Sequence, residues 1–164
     1  MNRVGSVTDK PQEKAGSLSR EPAIERINRL ASSRTPFVFL ISFDMEHNLV
    51  FPLEEAAGNG LFMEMPGLIN HSFKPSAIRA MDLRKFPVEP SRYREAFSRV
   101  MSHIRYGNTF LLNLTFPTSI ETPHTLREIF LASRAPFKLL MDEQMVVFSP
   151  EPFIRIEGNT IRSN

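Results

Sequence analysis

The stretch IRYGNTFLLNLTF, residues 104–116, joins the end of a predicted helix to a run of strand-forming residues. Large apolar side chains recur upstream of it with the spacing i, i+4, i+7, i+8 and i+11, at Tyr93, Phe97, Val100, Met101 and Ile104. This stripe predicts an amphipathic helix over residues 91–106. Gly107 then occupies the position where a helix C-cap needs positive φ. The aromatic and apolar residues of 109–116 predict a strand.

Downstream, the pattern predicts a second helix followed by a run of short strands. Thr122 is a candidate N-cap and Pro123 fits the first turn of this helix. Gly158 and Asn159 favour a two-residue hairpin turn. Strands are predicted around that turn and before it, over residues 137–141, 145–148, 153–156 and 160–162.

The part before residue 90 divides into a polar extension and the start of a folded domain. Residues 1–21 are mostly polar, so we expect a disordered extension, and residues 22–164 are assigned to one domain. Helical spacing resumes after Pro22, and Gly58-Asn59-Gly60 predicts a turn between two strands. Residues 66–90 hold four prolines, so loops are expected there. The strands predicted in this part are 36–43, 49–53, 61–65 and a short one at 83–88.

Composition narrows the class of protein without naming a function. The net charge is only +2 and the basic residues are interspersed with acidic ones, so no nucleic-acid footprint is expected. There is no cysteine, which excludes disulfides and thiolate chemistry. The longest apolar run, residues 37–41, is far shorter than a membrane span, and no secretory signal is visible. We therefore expect a cytoplasmic protein without membrane or nucleic-acid partners.

Residue types that carry chemistry are present, but they form no recognisable constellation. The four histidines, His47, His71, His103 and His124, are scattered without metal-ligand spacing. Glu54 and Glu55 are adjacent and are interpreted as a solvated turn, as is the pair Asp142 and Glu143. No nucleophile-elbow, P-loop or dinucleotide motif occurs. These patterns alone indicate a soluble domain that contains helices and strands, with no assigned function.

Two stretches resemble motifs of the chorismate-binding enzymes, a family that includes anthranilate, aminodeoxychorismate, isochorismate and salicylate synthases. Residues 93–115 are similar to its helix followed by "GD-x-(Y/F)-Q-x-N-L-(T/S)", and VFSPEPFIRIEG at 147–158 is similar to "SPE-x-F-(L/I)-x-(V/I)-x-G". Between them, residues 135–138 resemble less faithfully the "(N)P-x-P-(Y/F)" strand entry. Asn108 stands in place of the usual Asp and Leu111 in place of the usual Gln, while Glu151 is kept.

The resemblance is strongest to component I of aminodeoxychorismate synthase, because residues 26–53 are also similar to the N-terminal region of its compact members. It implies an α+β fold, with antiparallel sheets packed face to face and flanking helices. It also implies amination of chorismate with Mg²⁺ as cofactor, and a glutamine amidotransferase subunit that supplies ammonia. The open alternatives are anthranilate synthase component I, an isochorismate-type enzyme, or a non-catalytic module that binds a small aromatic ligand or a glutaminase.

In the family the catalytic residues follow the "SPE" strand, starting with a "P-(I/M)-(K/A)-G-T" motif. Here the sequence ends TIRSN at 160–164, so we expect a domain truncated before that motif and nominate no catalytic, cofactor-binding or metal-binding residue. We expect such a chain to be poorly soluble or partly molten and inactive, because strand edges and apolar faces would stay uncovered. A regulatory aromatic pocket known in some members would correspond to Ser42, Phe43, Pro136 and Phe137.

Overall fold

A computed structural model describes residues 16–74, 81–149 and 153–163. It contains two compact units, which are described separately: residues 81–123 form the smaller unit, and the other described residues form the larger one. The helices are α1 Arg20–Ser32, α2 Leu53–Ala56, α3 Pro90–Tyr106 and α4 Leu126–Ala132. The strands are β1 Phe37–Leu40, β2 Leu49–Pro52, β3 Leu61–Met65, β4 Leu68–Ile69, β5 Arg84–Phe86, β6 Ser119–Glu121, β7 Lys138–Met141, β8 Met145–Phe148, β9 Ile154–Glu157 and β10 Thr160–Ser163.

The larger unit is organised around a four-stranded antiparallel sheet in the order β4-β3-β7-β8. The central pair joins distant parts of the chain: Leu61 lies opposite Met141 and Glu64 lies opposite Lys138. A separate antiparallel pair is formed by β1 and β2, with Val38 opposite Phe51. All strand pairs among the described residues are antiparallel, and helices and strands are mixed, which confirms the predicted α+β class.

The hydrophobic core lies where β2, α2 and β3 meet. Its buried members are Leu49, Phe51, Ala56, Leu61 and Met63. The core exists because alternate residues of β2 and β3 point inward, so each strand contributes two of these side chains. This core fixes the position of β3 and, through strand pairing, of β7.

Helix α4 begins later than the sequence pattern indicated. The predicted N-cap Thr122 and first-turn Pro123 lie before the helix, and the cap is Thr125. The Thr125 hydroxyl accepts a hydrogen bond from the Glu128 amide, and the Glu128 carboxylate accepts one from the Thr125 amide. This reciprocal capping box satisfies two amides that the helix itself leaves unpaired, and therefore overrides the weaker signal at Thr122 and Pro123.

The smaller unit confirms the predicted helix and corrects the predicted strand. Helix α3 is capped by Gly107, which has φ 87° and donates its amide to the carbonyl of Ile104. No residue of α3 is buried, although its stripe is apolar. Residues 109–118 form no strand, so the strand predicted over 109–116 is wrong in this structure. The β5–β6 pair, with Lys85 opposite Ile120, provides the antiparallel sheet of this unit.

Two further elements of the larger unit were not predicted. The short helix α2 separates β2 from β3, where only a turn at residues 58–60 was expected, and β4 follows a turn at residues 66–67. Strand β1 ends at Leu40, whereas the pattern extended it to residue 43. A turn follows, in which the Met45 amide donates to the Ser42 carbonyl. The predicted hairpin at Gly158 is confirmed by the pairing of Thr160 with Glu157.

The extension predicted over residues 1–21 lies outside the described residues as far as residue 15. From residue 16 the chain is described: Leu18 forms a β-bridge with Asn48, and α1 begins at Arg20. Within the described part of the chain, no helix is both long and apolar enough to cross a membrane.

Candidate functional site

Ser42 and Phe43, two residues of the predicted aromatic pocket, lie in the loop that joins β1 to β2. The Ser42 hydroxyl donates a hydrogen bond of 2.6 Å to the Asp44 carboxylate and accepts one from the His47 amide. The hydrogen bond from Ser42, with a further bond from the Glu46 amide, holds the pKa of Asp44 below its ordinary value. The Phe43 side chain projects fully into solvent. The loop is therefore held in a defined conformation by hydrogen bonds, whereas the Phe43 ring is fully exposed.

Asn48 fixes the position of this loop through side-chain hydrogen bonds. Its side chain is 1% exposed, and its amide group donates to the carbonyls of Leu18 and Met45 while its carbonyl accepts from the Ser42 amide. Met45 has φ 60°, a conformation that is unfavourable for a residue with a side chain. The Asn48 contacts offset this local cost.

Pro136 and Phe137, the other two pocket residues, lie at the entry to β7. Phe137 is half-buried, and its carbonyl accepts a hydrogen bond from the Ser149 amide. Among the described residues no hydrogen bond or ring contact joins this pair to Ser42 or Phe43. The pocket formed by these four residues stays a prediction.

The most densely organised polar cluster lies on the central strands of the larger sheet. Lys138 on β7 and Glu64 on β3 are opposite each other, and Lys138 Nζ lies 2.7 Å from Glu64 Oε2. Nζ also donates to the carbonyl of Phe130, at 3.2 Å, and to that of Ser133, at 3.3 Å. The Lys138 side chain is 6% exposed, so its charge is compensated by a carboxylate and two carbonyls at the end of α4.

His71 is the third member of this cluster. Its side chain is also 6% exposed, and its Nε2 lies 3.2 Å from Glu64 Oε1. The two atoms are close but are not aligned for a hydrogen bond, so Nε2 has no hydrogen-bond partner. Nδ1 accepts a hydrogen bond of 3.3 Å from the Phe73 amide.

Aromatic rings enclose the cluster. His71 stacks on Phe73 with ring centroids 4.5 Å apart, and it meets Phe130 edge-on at 5.3 Å. Arg127 lies over the Phe73 ring at 4.7 Å and forms an ion pair of 2.5 Å with Asp142. Charged groups thus lie among apolar rings, where electrostatic interactions are stronger than in water.

Sequence reasoning missed this cluster, because Lys138 lies far from Glu64 and His71 in the chain. Lys138 was a usable signal, since a lysine between Phe137 and Leu139 in a predicted strand requires a partner. His103 is exposed, and its Nδ1 lies 2.8 Å from Asn108 Nδ2. Glu54 and Glu55 are exposed as predicted, but they belong to α2.

A second candidate is a groove of about 550 Å³ within the smaller unit, between α3 and residues 108–116. Its apolar lining includes Val100, Leu112 and Phe116, and two arginines, Arg92 and Arg99, border it. Arg99 is paired with Glu95 at 2.8 Å, and Arg92 lies 5.9 Å from the Phe116 ring. The groove is formed by the first of the two motif stretches. Residues 150–152 of the second stretch lie outside the described residues.

No metal site was assigned from the sequence, and the resemblance implies Mg²⁺ only for the enzyme as a whole. Across residues 16–74, 81–149 and 153–163, no three His, Asp or Glu side chains converge to hold a metal ion. We assign none of the described residues to Mg²⁺.

Comparison with known proteins identifies the class. The sequence profile of the chorismate binding enzyme family matches residues 68–164, which include both motif stretches, so the chain belongs to the chorismate-binding enzyme family. This finding confirms the family resemblance read from the motifs.

Two curated relatives are similar to most of this chain. A protein of Haemophilus influenzae named "Uncharacterized PabA-like protein" is 40% identical over 138 residues, which is 84% of this chain and 42% of the relative. A PabA-like protein of Pasteurella multocida, also named as uncharacterized, is 36% identical over 145 residues, 88% of this chain and 45% of the relative. The chain thus spans less than half the length of these relatives. No solved structure matches it.

Proposed function

We propose that the enzyme to which this sequence belongs is an aminodeoxychorismate synthase component I. It replaces the C4 hydroxyl of chorismate with an amino group from ammonia and releases water, which yields 4-amino-4-deoxychorismate for p-aminobenzoate and folate synthesis. The observation that carries this proposal is the family match over residues 68–164. The names of both relatives, which refer to PabA, favour this member of the family over anthranilate synthase.

In this proposal, the residues of this chain serve as the structural scaffold of the enzyme. The core around Leu61 and the Lys138–Glu64 pair hold the β3–β7 strands, and the capping box fixes the start of α4. Such a framework keeps a reaction centre within the small tolerances that catalysis needs. Mg²⁺, if bound by the whole enzyme, would neutralise a substrate carboxylate. A glutamine amidotransferase that supplies ammonia is proposed as the partner, and the face-to-face sheet architecture of component I as the complete fold.

A chimera tests this proposal without any assumption about how fragments assemble. The segment of the Haemophilus influenzae relative that matches this chain is replaced by residues 22–164, and chorismate consumption is followed with ammonium and Mg²⁺. The relative itself is the reference, and the relative with the segment deleted is the matched negative control. We expect the relative and the chimera to consume chorismate and the deletion variant to be inactive.

The alternatives give different results in the same experiment. Chorismate that disappears without incorporation of nitrogen indicates an isochorismate-type enzyme. If the relative is inactive and this chain binds a small aromatic ligand or a glutaminase, the result indicates the non-catalytic module. Either result overturns the proposal.

A further inference from the structure

We propose that residues 109–116, here named the pairing segment, form a strand by pairing with the same residues of a second copy of this chain. The segment belongs to the smaller unit and follows the Gly107 cap of α3. Its side-chain pattern and the charges of α3 both fit a second copy, as argued below from their positions. The proposal does not depend on the proposed enzymatic activity.

The pairing segment has the side-chain alternation of a strand. Leu112, Leu114 and Phe116 line the groove against α3, whereas the residues between them are exposed. This period of two is that of an extended chain with one face on a helix. Among the described residues, no backbone–backbone hydrogen bond reaches residues 110–116, so the edges of the segment are available to another strand.

The composition of the pairing segment favours an identical partner. Residues 106–120 contain no charged side chain, and residues 108–116 contain no proline. Natural proteins protect exposed strand edges with charges or prolines, because an unprotected edge pairs readily with another chain. The side chains of Phe110 and Leu111 are 95% and 89% exposed, so neighbouring apolar groups are left uncovered. This combination is typical of an interaction surface.

An antiparallel pairing about a two-fold axis at Asn113 satisfies the pattern on both faces. It places Leu112 opposite Leu114 of the second copy, on the face toward the helices. On the same face, Phe110 gains Phe116 of the second copy as its neighbour. Apolar and aromatic cross-strand pairs of this kind stabilise a ribbon. On the other face Asn113 meets its own counterpart, and the two amides can each donate and accept a hydrogen bond.

The charges of α3 are complementary to those of a second α3 in this arrangement. The pairing segment runs antiparallel to α3, since Phe116 packs against Tyr93 near the start of the helix and Asn108 follows its cap. A two-fold axis at the middle of the segment therefore turns the helices end for end. Glu95 and Arg99, which border the groove on either side of the helix midpoint, then face their opposites in the second copy.

The contribution of these charges is to select the partner and its orientation. Within one copy Glu95 and Arg99 already lie 2.8 Å apart, and both are largely exposed, so each can be shared with a second helix. Exposed ion pairs add little free energy, but like charges in the same positions would oppose the contact. The apolar pairs of the ribbon supply the attraction.

The sequence contains no cysteine, which allows a direct test of the two-fold axis on the full 164-residue chain. Asn113→Cys places a thiol at the axis, where opposite Cα atoms of antiparallel strands are about 4.5–5.5 Å apart, a separation that a disulfide spans. Thr118→Cys, at an exposed position farther from the axis, is the matched control. We expect mild oxidation to give a covalent dimer with Asn113→Cys and none with Thr118→Cys.

Charge reversal tests the contact between the helices. Glu95→Arg makes both positions basic and Arg99→Glu makes both acidic, so copies of one variant repel each other, whereas the two variants attract each other when mixed. Sedimentation velocity between about 1 µM and about 200 µM measures the dissociation constants. We expect each variant alone to dimerise about three- to tenfold more weakly than the original chain, and the mixture to regain the original dissociation constant. An effect confined to one helix cannot produce this recovery.

Each contrary outcome has a definite meaning. An original chain that stays monomeric leaves the strand edge to a segment of a different protein, and association without a dimer stage is non-specific. Equal cross-linking of the two cysteine variants contradicts the register, and a mixture that binds no more tightly than its components contradicts the helix contact. Any of these results overturns the proposal. Circular dichroism verifies the helix content of the charge variants, and the cysteine test, which leaves α3 unchanged, decides the case if one of them unfolds.

Discussion

Lys138 Nζ on β7 lies 2.7 Å from Glu64 Oε2 on the neighbouring strand β3. The pair joins two strands that are more than seventy positions apart in the sequence, and the same ammonium reaches the carbonyls of Phe130 and Ser133 at the end of α4. One side chain thereby connects the centre of the sheet to the helix that packs on it. Because Glu64 is 27% exposed, part of its charge is solvated, and the pair is weaker than a fully buried one.

Replacing Lys138 by Met should destabilise the larger unit by about 2 kcal/mol, because two carbonyls and a carboxylate lose their donor while the volume is kept. Urea unfolding followed by circular dichroism measures the change. Lys74→Met, at an exposed position, is the matched control and should stay within about 0.5 kcal/mol of the original chain. Equal stabilities of the two variants would contradict the assigned role of Lys138.

Asn70→Ala should cost about 1–3 kcal/mol, because the buried amide of Met63 and the carbonyl of Leu61 both lose their side-chain partner. Asn59→Ala is the control, since Asn59 makes a single side-chain bond to the carbonyl of Glu55 in an exposed turn. Thermal melts of both variants give the comparison. If Asn59→Ala lowers the stability as much as Asn70→Ala does, the hydrogen bonds from Asn70 to β3 stabilise the fold no more than a bond in an exposed turn.

The capping box of α4 predicts a defined acid sensitivity. The amide and hydroxyl of Thr125 hold the pKa of Glu128 below its ordinary value of 4.5. A carboxyl whose pKa is lower in the folded state stabilises the fold above its unfolded pKa, and this contribution disappears as the pH falls through the folded pKa. The window therefore lies below about pH 4.5.

Thr125→Ala should lower stability by about 1 kcal/mol at neutral pH and weaken this part of the acid dependence, because Glu128 then keeps only the bond from the backbone amide at position 125. Unfolding curves recorded from neutral pH into the acid range measure both effects, with Thr118→Ala as a control outside the helix. If the variant and the original chain differ by the same amount at every pH, Glu128 is not coupled to the cap.

Local patterns predicted those elements whose signals are local. The stripe from Tyr93 to Ile104 and the glycine at 107 gave α3 and its cap, because helix periodicity and positive φ depend on neighbours in the chain. The alternating strands around Gly158 were found for the same reason. The motif stretches gave the family, which the profile match over residues 68–164 confirms.

The features that the sequence did not predict depend on contacts between residues that are distant in the chain. Residues 109–116 have strand composition, but a strand needs a paired neighbour, and none of the described residues pairs with them. The cluster of Glu64, His71 and Lys138 arises only because β3 pairs with β7, a register that no local pattern encodes. Thr125 replaced Thr122 as the cap because the reciprocal bond with Glu128 decides between two candidates of similar propensity.

The identity of the nitrogen-containing product tests the central claim most directly. Chorismate and ¹⁵N-ammonium are supplied to the chimera of residues 22–164 with the Haemophilus influenzae relative, and the products are analysed by mass spectrometry. We predict labelled 4-amino-4-deoxychorismate with its enolpyruvyl group intact and no release of pyruvate. Labelled anthranilate with one equivalent of pyruvate would contradict the assignment and identify the other aminating branch of the family.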